Sequence, residues 1–563
     1  MKATGNMAAW IVALMIGGAA QAVTVDFPSA AGDIAISGEG GWTASVPGAS
    51  DLARFVAYAN GTYTASKDVA FGSIYVSKSA TFNLHTSGDH TVTLANFAVA
   101  ADGQTGTLNG GVWDISGTTS GTANNEVGAF GPCNIYGTAR TKLVMANGCV
   151  VTNVNRLIVS NGGAGNSVAI TGQSRVYAKE AYLDYRAGAA NGLLEVSAGG
   201  ELTTTAKFRV GANSTASGNR ARFCDGARFS LYDVRVGEGG AGENVLEICG
   251  SATKGKFSPA TYVGGHDKAS SGNVLVVSNA DLSCSTVYVS SNAGSFSNAF
   301  YIIGADTSFT ATVNSLPRYP FVRRGYGNTF EMDGAEWNYW NTMQLDEASS
   351  SNAIRFVNGA KMNMVGGLLS GTNHIASCGN RMYLGNGARL SAAFAFISRA
   401  DNVITVSNAT LATSAVTDSW SGIRIGSTLQ NVDVAGINGN GLVIQGNAPI
   451  VSSAREVSFK NRSFLRVEVP AEGYGTECVP VTARNAIWDD TSSLTVEVTR
   501  LRGLAGSHTL VSTTHGITIP GTVLDAANGS LAARTGGMAR LVLANGNRDI
   551  VLKVARGICV SFR

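Results

Sequence analysis

Charge is scarce in this sequence. Only 14% of its 563 residues are Asp, Glu, Lys or Arg, where soluble domains carry about 25%. The two signs nearly cancel to a formal net charge of +3, which gives no case for a nucleic-acid partner. Proline is rare, with ten residues in all, and no Gly-X-Y period exists, which excludes a collagen triple helix. The eight cysteines are Cys133, Cys149, Cys224, Cys249, Cys284, Cys378, Cys478 and Cys559, and none forms a CxxC pair. That removes zinc-ribbon and thioredoxin-type motifs, and the density is too low for a disulfide scaffold. After the first 22 residues no apolar run reaches about 18 residues, so the mature chain is expected to have no membrane span. Apolar spacing of the helical kind and the LxxLxLxxN core of leucine-rich repeats are both missing.

What the chain does have is apolar material and glycine. Hydrophobic residues reach 44%, enough for a large core and too many for a disordered chain. Glycine accounts for 70 residues, above the ordinary usage of about 7%. The start, MKATGNMAAWIVALMIGGAAQA, places Lys2 before an apolar stretch from Ala8 to Ala19 and a small-x-small site at Ala20-Gln21-Ala22. This is the grammar of a secretory signal peptide. Cleavage after Ala22 and a secreted or cell-surface location are expected.

Internal periodicity is the decisive signal. Segments NSVAITGQSRV from Asn166, NRARFCDGARF from Asn219, NVLEICGSATK from Asn244, NAIRFVNGAKM from Asn352 and NVITVSNATL from Asn402 align with one another. From Asn219 onward the Asn-to-Asn steps run from 22 to 30 residues, with one longer step of 38. In every unit the second and fourth residues after the start are apolar, from Val168/Ile170 through Ala221/Phe223, Phe330/Met332 and Ile404/Val406 to Leu442/Ile444. Such period-two patterning is a strand with one buried face. A Gly-Ala or Asn-Ala turn and a second short strand follow. A unit of about 25 residues with two or three short strands predicts one coil of a right-handed parallel β-helix, an all-β solenoid with β-rich terminal caps. Propeller blades would need about 40 residues each.

Three finer expectations follow from stacking units about 4.8 Å apart. The outward residues Glu195, Arg222 and Glu247, and later Glu331 and Arg355, should form ion pairs between neighbouring coils. The recurrent asparagine should form a ladder of stacked amides. Cys224 and Cys249 share one phase and should lie side by side, either bonded or as free thiols. The expected organisation is a signal peptide at 1–22, an N-terminal cap and opening coils at 23–140, regular coils at 141–463, and a β-rich cap at 464–563. Thirteen or so coils between 141 and 463 would make a rod on the order of 60 Å.

The opening from Gly38, with Trp42 and the run Pro47-Gly48-Ala49-Ser50-Asp51, together with the NxLxVxNGAxL units, resembles secreted bacterial β-solenoids with autotransporter-passenger-like repeats. The resemblance covers about residues 38–463 and implies export and architecture rather than an activity. Residues beyond 464 are too few for a membrane translocator barrel, so a passenger-like protein lacking its own translocator is expected.

No catalytic constellation emerges. Polysaccharide-cleaving β-helices need clustered carboxylates, whereas the aligned acids here alternate with arginine and the six histidines share no phase. No catalytic residue, metal site or cofactor is assigned, and a non-enzymatic adhesin-like or structural scaffold is the expected function. The alternative is a polysaccharide-binding or polysaccharide-degrading β-helix. Candidate ligand-binding residues lie in the longest excursion and the coil after it: Arg318, Tyr319, Phe321, Arg323, Arg324, Tyr326 and Trp340. Aromatic rings and guanidinium groups on a loop suit stacking on sugars or holding anionic glycans. Trp337 and Tyr339, nearby, fall on the inward phase and are expected in the core. Glycans or other cell-surface components are the expected partners.

Overall fold

In the computed structural model, the residues described are 24–27, 34–35, 52–55, 61–65, 68–76, 81–86, 90–99, 105–116, 125–129 and 140–555. Within the last range, 162, 187–188, 214, 293, 312–320, 323, 340–342, 346–348, 367, 371–377, 416–420, 428–435, 475–477 and 502 are excepted. The segment read as a signal peptide and the Trp42 to Asp51 opening lie outside them. Strand makes up 59% and helix 5% of the structure. The strands stack as parallel coils of a β-solenoid, about 13 turns at roughly 27 residues per turn. Two compact units divide the chain, Met1–Ser285 and Thr286–Arg563.

Each regular coil follows from its residue pattern. In the first unit Leu193–Val196 begins a coil, and its neighbours in the same stack are Ser167–Ile170 and Arg220–Phe223, both parallel and in register. A tight corner leads to the long strand Glu201–Val210, which bends in the middle where its register to Arg228–Val236 shifts between Thr203 and Phe208. The bend gives the coil a third face. In the second unit the same first-face stack runs from Ala299–Ile303 through Thr329–Asp333, Ala353–Val357, Arg381–Gly385, Val403–Ser407 and Gly441–Gln445. Opening coils are parallel too: Gly61–Ala65 pairs with Thr81–Thr86, which pairs with Thr105–Asn109.

The apolar pairs of the repeat point inward. Leu194, Val196, Phe223, Ile248, Phe330, Met332, Phe356, Ile404 and Val406 are all fully buried. A buried side chain of this size contributes about 1.5–3 kcal/mol, so repetition makes a continuous core. Trp337 and Tyr339 join it, as the inward phase requires. Trp337 sits in register with Met362, which aligns with Leu390, and its ring meets Phe309 edge-on at 4.6 Å.

The corner after the first face explains the Asn-Gly-Ala signature. Asn358 and Gly359 both take positive φ, 52° and 80°, the pair of left-handed residues that a type I′ turn requires. Ala360 then turns inward with no exposed surface, where a larger side chain would crowd the core.

At the opposite corner the recurrent asparagine is buried and forms the expected ladder. In the first unit the Asn219 amide nitrogen donates to Asn244 Oδ1 at 2.8 Å, and that of Asn244 to Asn273 Oδ1 at 3.0 Å. In the second the same bond links Asn298 to Asn328, Asn328 to Asn352, Asn352 to Asn380 and Asn380 to Asn402. Each oxygen also accepts the backbone N–H of the preceding rung, as Asn352 Oδ1 does from Asn328. Buried backbone groups at an irregular corner are thereby satisfied.

Beyond residue 464 the stacking continues through Phe464–Val469 and Ser493–Val498, parallel and in register. The segment expected as a β-rich cap then adds a helix, Gly521–Thr535, between Gly506–Thr518 and the antiparallel hairpin Ala539–Ala544 and Asp549–Val554. Val523, Ala527 and Leu531 form its buried stripe, and the helix packs on Ser493–Val498 and Ala539–Ala544. Ser493–Val498 ends the first-face stack. An exposed strand edge there would invite pairing with another chain, and the helix covers it.

Candidate functional site

Of the candidate ligand-binding residues, Arg318, Tyr319, Arg323 and Trp340 lie outside the described residues. Phe321 belongs to a two-residue strand, Phe321–Val322, paired with Gln344–Leu345. Arg324 and Tyr326 are exposed. The Arg324 backbone N–H donates to Ser290 O at 3.3 Å, and Ser290 Oγ donates to Arg324 O. Tyr326 stacks on Phe296, with centroids 5.4 Å apart and ring planes 11° apart, and the two residues bridge neighbouring coils. Phe296 escaped the sequence reading, although it precedes Tyr326 by the same interval that separates Asn298 from Asn328. Both rings are nearly half exposed, Phe296 at 40% and Tyr326 at 48%.

A second polar cluster occupies the long strands of the first unit. Glu126, Arg156, Glu180 and Lys207 follow one another in register on four successive coils. Their signs alternate, and each neighbour is an ion pair: Arg156 to Glu126 at 3.0 Å, Arg156 to Glu180 at 3.5 Å, Lys207 to Glu180 at 3.4 Å. Two residues along, Tyr182, Arg209, Arg235 and Tyr262 form a parallel column. Arg209 and Arg235 are like charges in adjacent positions, and acids separate them. Arg209 is 1% exposed and meets Asp233 at 2.6 Å and Glu238 at 2.5 Å. Arg235 meets Asp233 at 3.1 Å, Glu238 at 2.5 Å and Asp267 at 3.2 Å, with its guanidinium 5.5 Å from the Tyr262 ring centre. The edge of His266 packs on Tyr262 at 4.3 Å.

These ion pairs determine the chemistry of the cluster. Burial alone would raise the carboxyls of Glu180, Asp233 and Asp267, but their partners hold each below the usual carboxylate range. For Glu180 these are Tyr182, Lys207 and Arg156, for Asp233 they are Arg209 and Arg235, and for Asp267 they are His266 and Arg235. Carboxylates held ionised in this way are poor proton donors near neutrality. The column is an electrostatic seam along the coils, with Tyr182 and Tyr262 at its two ends.

The outward residues of the first face form two of the expected ion pairs, Arg222 with Glu247 and Arg355 with Glu331, while Glu195 shares their register without an ion pair to Arg222. Glu195, Arg222 and Glu247 are register partners, with Arg222 3.7 Å from Glu247, and Arg355 lies 3.3 Å from Glu331. Cys224 and Cys249 directly follow the paired residues Phe223 and Ile248, and both are free thiols. Burial pushes the Cys224 thiol up to about 12, far from the reactive thiolate range. Among the described residues no group of three His, Cys, Asp or Glu side chains is placed to hold a metal ion. No helix among them is long and apolar enough to cross a membrane. No protein-family model, curated protein or solved structure matches this chain.

Proposed function

We propose that this chain is an exported β-solenoid, extracellular or on the cell surface, that works as an adhesin-like or structural scaffold and does not turn over a substrate. The observation that carries the reading is how its polar groups are engaged. The buried amides bond to the next coil, and the clustered carboxylates are ion-paired to arginine and lysine. Repetition of this kind builds length and surface. The amino-terminal Lys2, apolar stretch and Ala20-Gln21-Ala22 site support export, and the passenger-like repeats agree with it.

A second reading, polysaccharide binding, has one observation in its favour. Exposed aromatic rings on adjacent coils, Phe296 and Tyr326, lie beside the exposed Arg324, a combination suited to sugar rings. Both readings meet in one experiment. The full coding sequence is expressed in a bacterium, the amino terminus of the released protein is determined, and that protein is screened on a glycan array and in a polysaccharide-depolymerisation assay. The proposal expects a terminus at Val23 and no product release. Glycan binding without turnover would select the adhesin, and silence on the array the structural scaffold. Product release, or retention of the uncleaved chain in the cytoplasm, would overturn it.

A further inference from the structure

The asparagine ladder has one irregular rung. In register between Asn166 and Asn219 stands Gly192, which has no side chain to contribute. The space above it is filled from the preceding corner by Asp184. A Cβ built on Gly192 would lie 3.0 Å from Asn219 Oδ1 and 3.4 Å from Asp184 Oδ1. In the following coils the positions equivalent to Asp184 are Gly211 and Gly237. A Cβ on either would fall 2.4 Å from Asn244 or 2.3 Å from Asn273. The usual solution is therefore glycine at the corner and asparagine at the rung, and here the two roles are exchanged.

Asp184 has no solvent exposure, and the polar side chain that acts on its carboxyl is the Asn219 amide, which lies outside strict hydrogen-bond geometry. Its own backbone is fixed: its N–H donates to Val159 O at 2.9 Å, and its carbonyl lies 3.5 Å from the Asn213 amide. The residue takes φ 68°, a conformation that Asp and Asn tolerate better than most. Among the described residues, the elements around it bring no countercharge. From the coil before come Val159, Ser160 and Asn166, and the Asn166 amide donates to Ser160 Oγ. Arg156 of that coil is engaged with Glu126 and the Tyr185 ring. From the coil after come Asn213 and Asn219, while Arg186, two residues on, is exposed.

We propose that Asp184 is a titratable rung of the ladder. Its neutral carboxylic acid replaces the amide that Gly192 lacks, and its ionised form is a buried anion without a countercharge that loosens this corner. Burial pushes the carboxyl up to about 7, with the Asn219 amide acting weakly in the opposite direction. An acid raised in the folded state binds more protons folded than unfolded between its two pKa values, so stability falls as pH rises across that window. The corner is thus tight in mild acid and looser above neutrality. From pH 5 to pH 8 the opening equilibrium should rise by about a hundredfold.

The test uses the full chain, the variant Asp184→Asn, and the double variant Asp184→Gly with Gly192→Asn, which restores the usual arrangement. Hydrogen-exchange protection factors for the amides of Asp184 and Gly192 are measured from pH 5 to pH 8. In parallel, the infrared carbonyl band of protonated carboxylic acids is titrated. The proposal expects protection in the parent chain to fall steadily from pH 5 and to level off near pH 7, together with a carbonyl band that disappears with a midpoint near pH 7. Both variants should lack that band and keep protection flat across the range. A parent chain without the band, or a pH-dependent loss of protection that persists in Asp184→Asn, would overturn it. A double variant that fails to fold while Asp184→Asn retains the parent's pH profile would do so too.

Discussion

A single rung of the ladder joins several buried groups. Asn328 Oδ1 accepts both the backbone N–H and the amide of Asn298, at 3.0 and 3.1 Å, while its own amide donates to Asn352 at 3.0 Å. Replacing Asn328 by alanine strands two buried donors, each costing about 1–3 kcal/mol. Asn328→Ala should therefore destabilise the second unit by about 2–6 kcal/mol in denaturant unfolding. Asn363→Ala is the contrast: it removes an exposed amide bond to Asn338 and should change stability by less than about 0.5 kcal/mol. Equal effects of the two substitutions would refute a structural role for burial at the rung. The ladder was legible in the sequence because asparagine keeps one phase. Asp184 was not, because it reaches its rung from a different corner and stands where the coil before carries Ser160 and the two after carry Gly211 and Gly237.

Elements differ in how openly the sequence announces them. First-face strands are short, unbent and bounded by the same turn, so their inward pairs could be read by counting. Outward residues of the third face could not. The bend inside the long strands takes different numbers of residues in neighbouring coils, one between Ala178 and Glu180 but two between their partners Thr204 and Lys207. Counting loses phase at such a bend, which hid the column of Arg209 and Arg235. The candidate excursion around Arg318 and Tyr326 stood out in composition, but Phe296, the ring that stacks on Tyr326, is set by stacking rather than by sequence neighbourhood. The closing helix yields a prediction of its own. Leu531→Asp places a charge in the buried stripe that covers Ser493–Val498 and should free that edge for pairing. Sedimentation velocity should then show self-association that the parent chain lacks. A variant that stays as monodisperse as its parent would mean that the helix does not protect the edge.

At the scale of the molecule, composition and architecture have one explanation. Glycine and asparagine recur because the chain turns through the same left-handed corners coil after coil, and charge is scarce because alternate strand positions face the core while the corners go to glycine and asparagine. Parallel, in-register stacking is the premise on which the ladder, the ion-pair columns and the scaffold reading all depend. Disulfide trapping tests it directly. Glu331 and Arg355 are register partners, whereas Ala353 is the partner of Thr329 and lies two residues out of step with Glu331. Register partners about 4.8 Å apart fall within reach of a disulfide, and pairs beyond about 7 Å do not. The chain carrying Glu331→Cys with Arg355→Cys should cross-link readily under mild oxidation, and the chain carrying Glu331→Cys with Ala353→Cys should not. Cross-linking of the second pair in place of the first would contradict the stacked parallel coils.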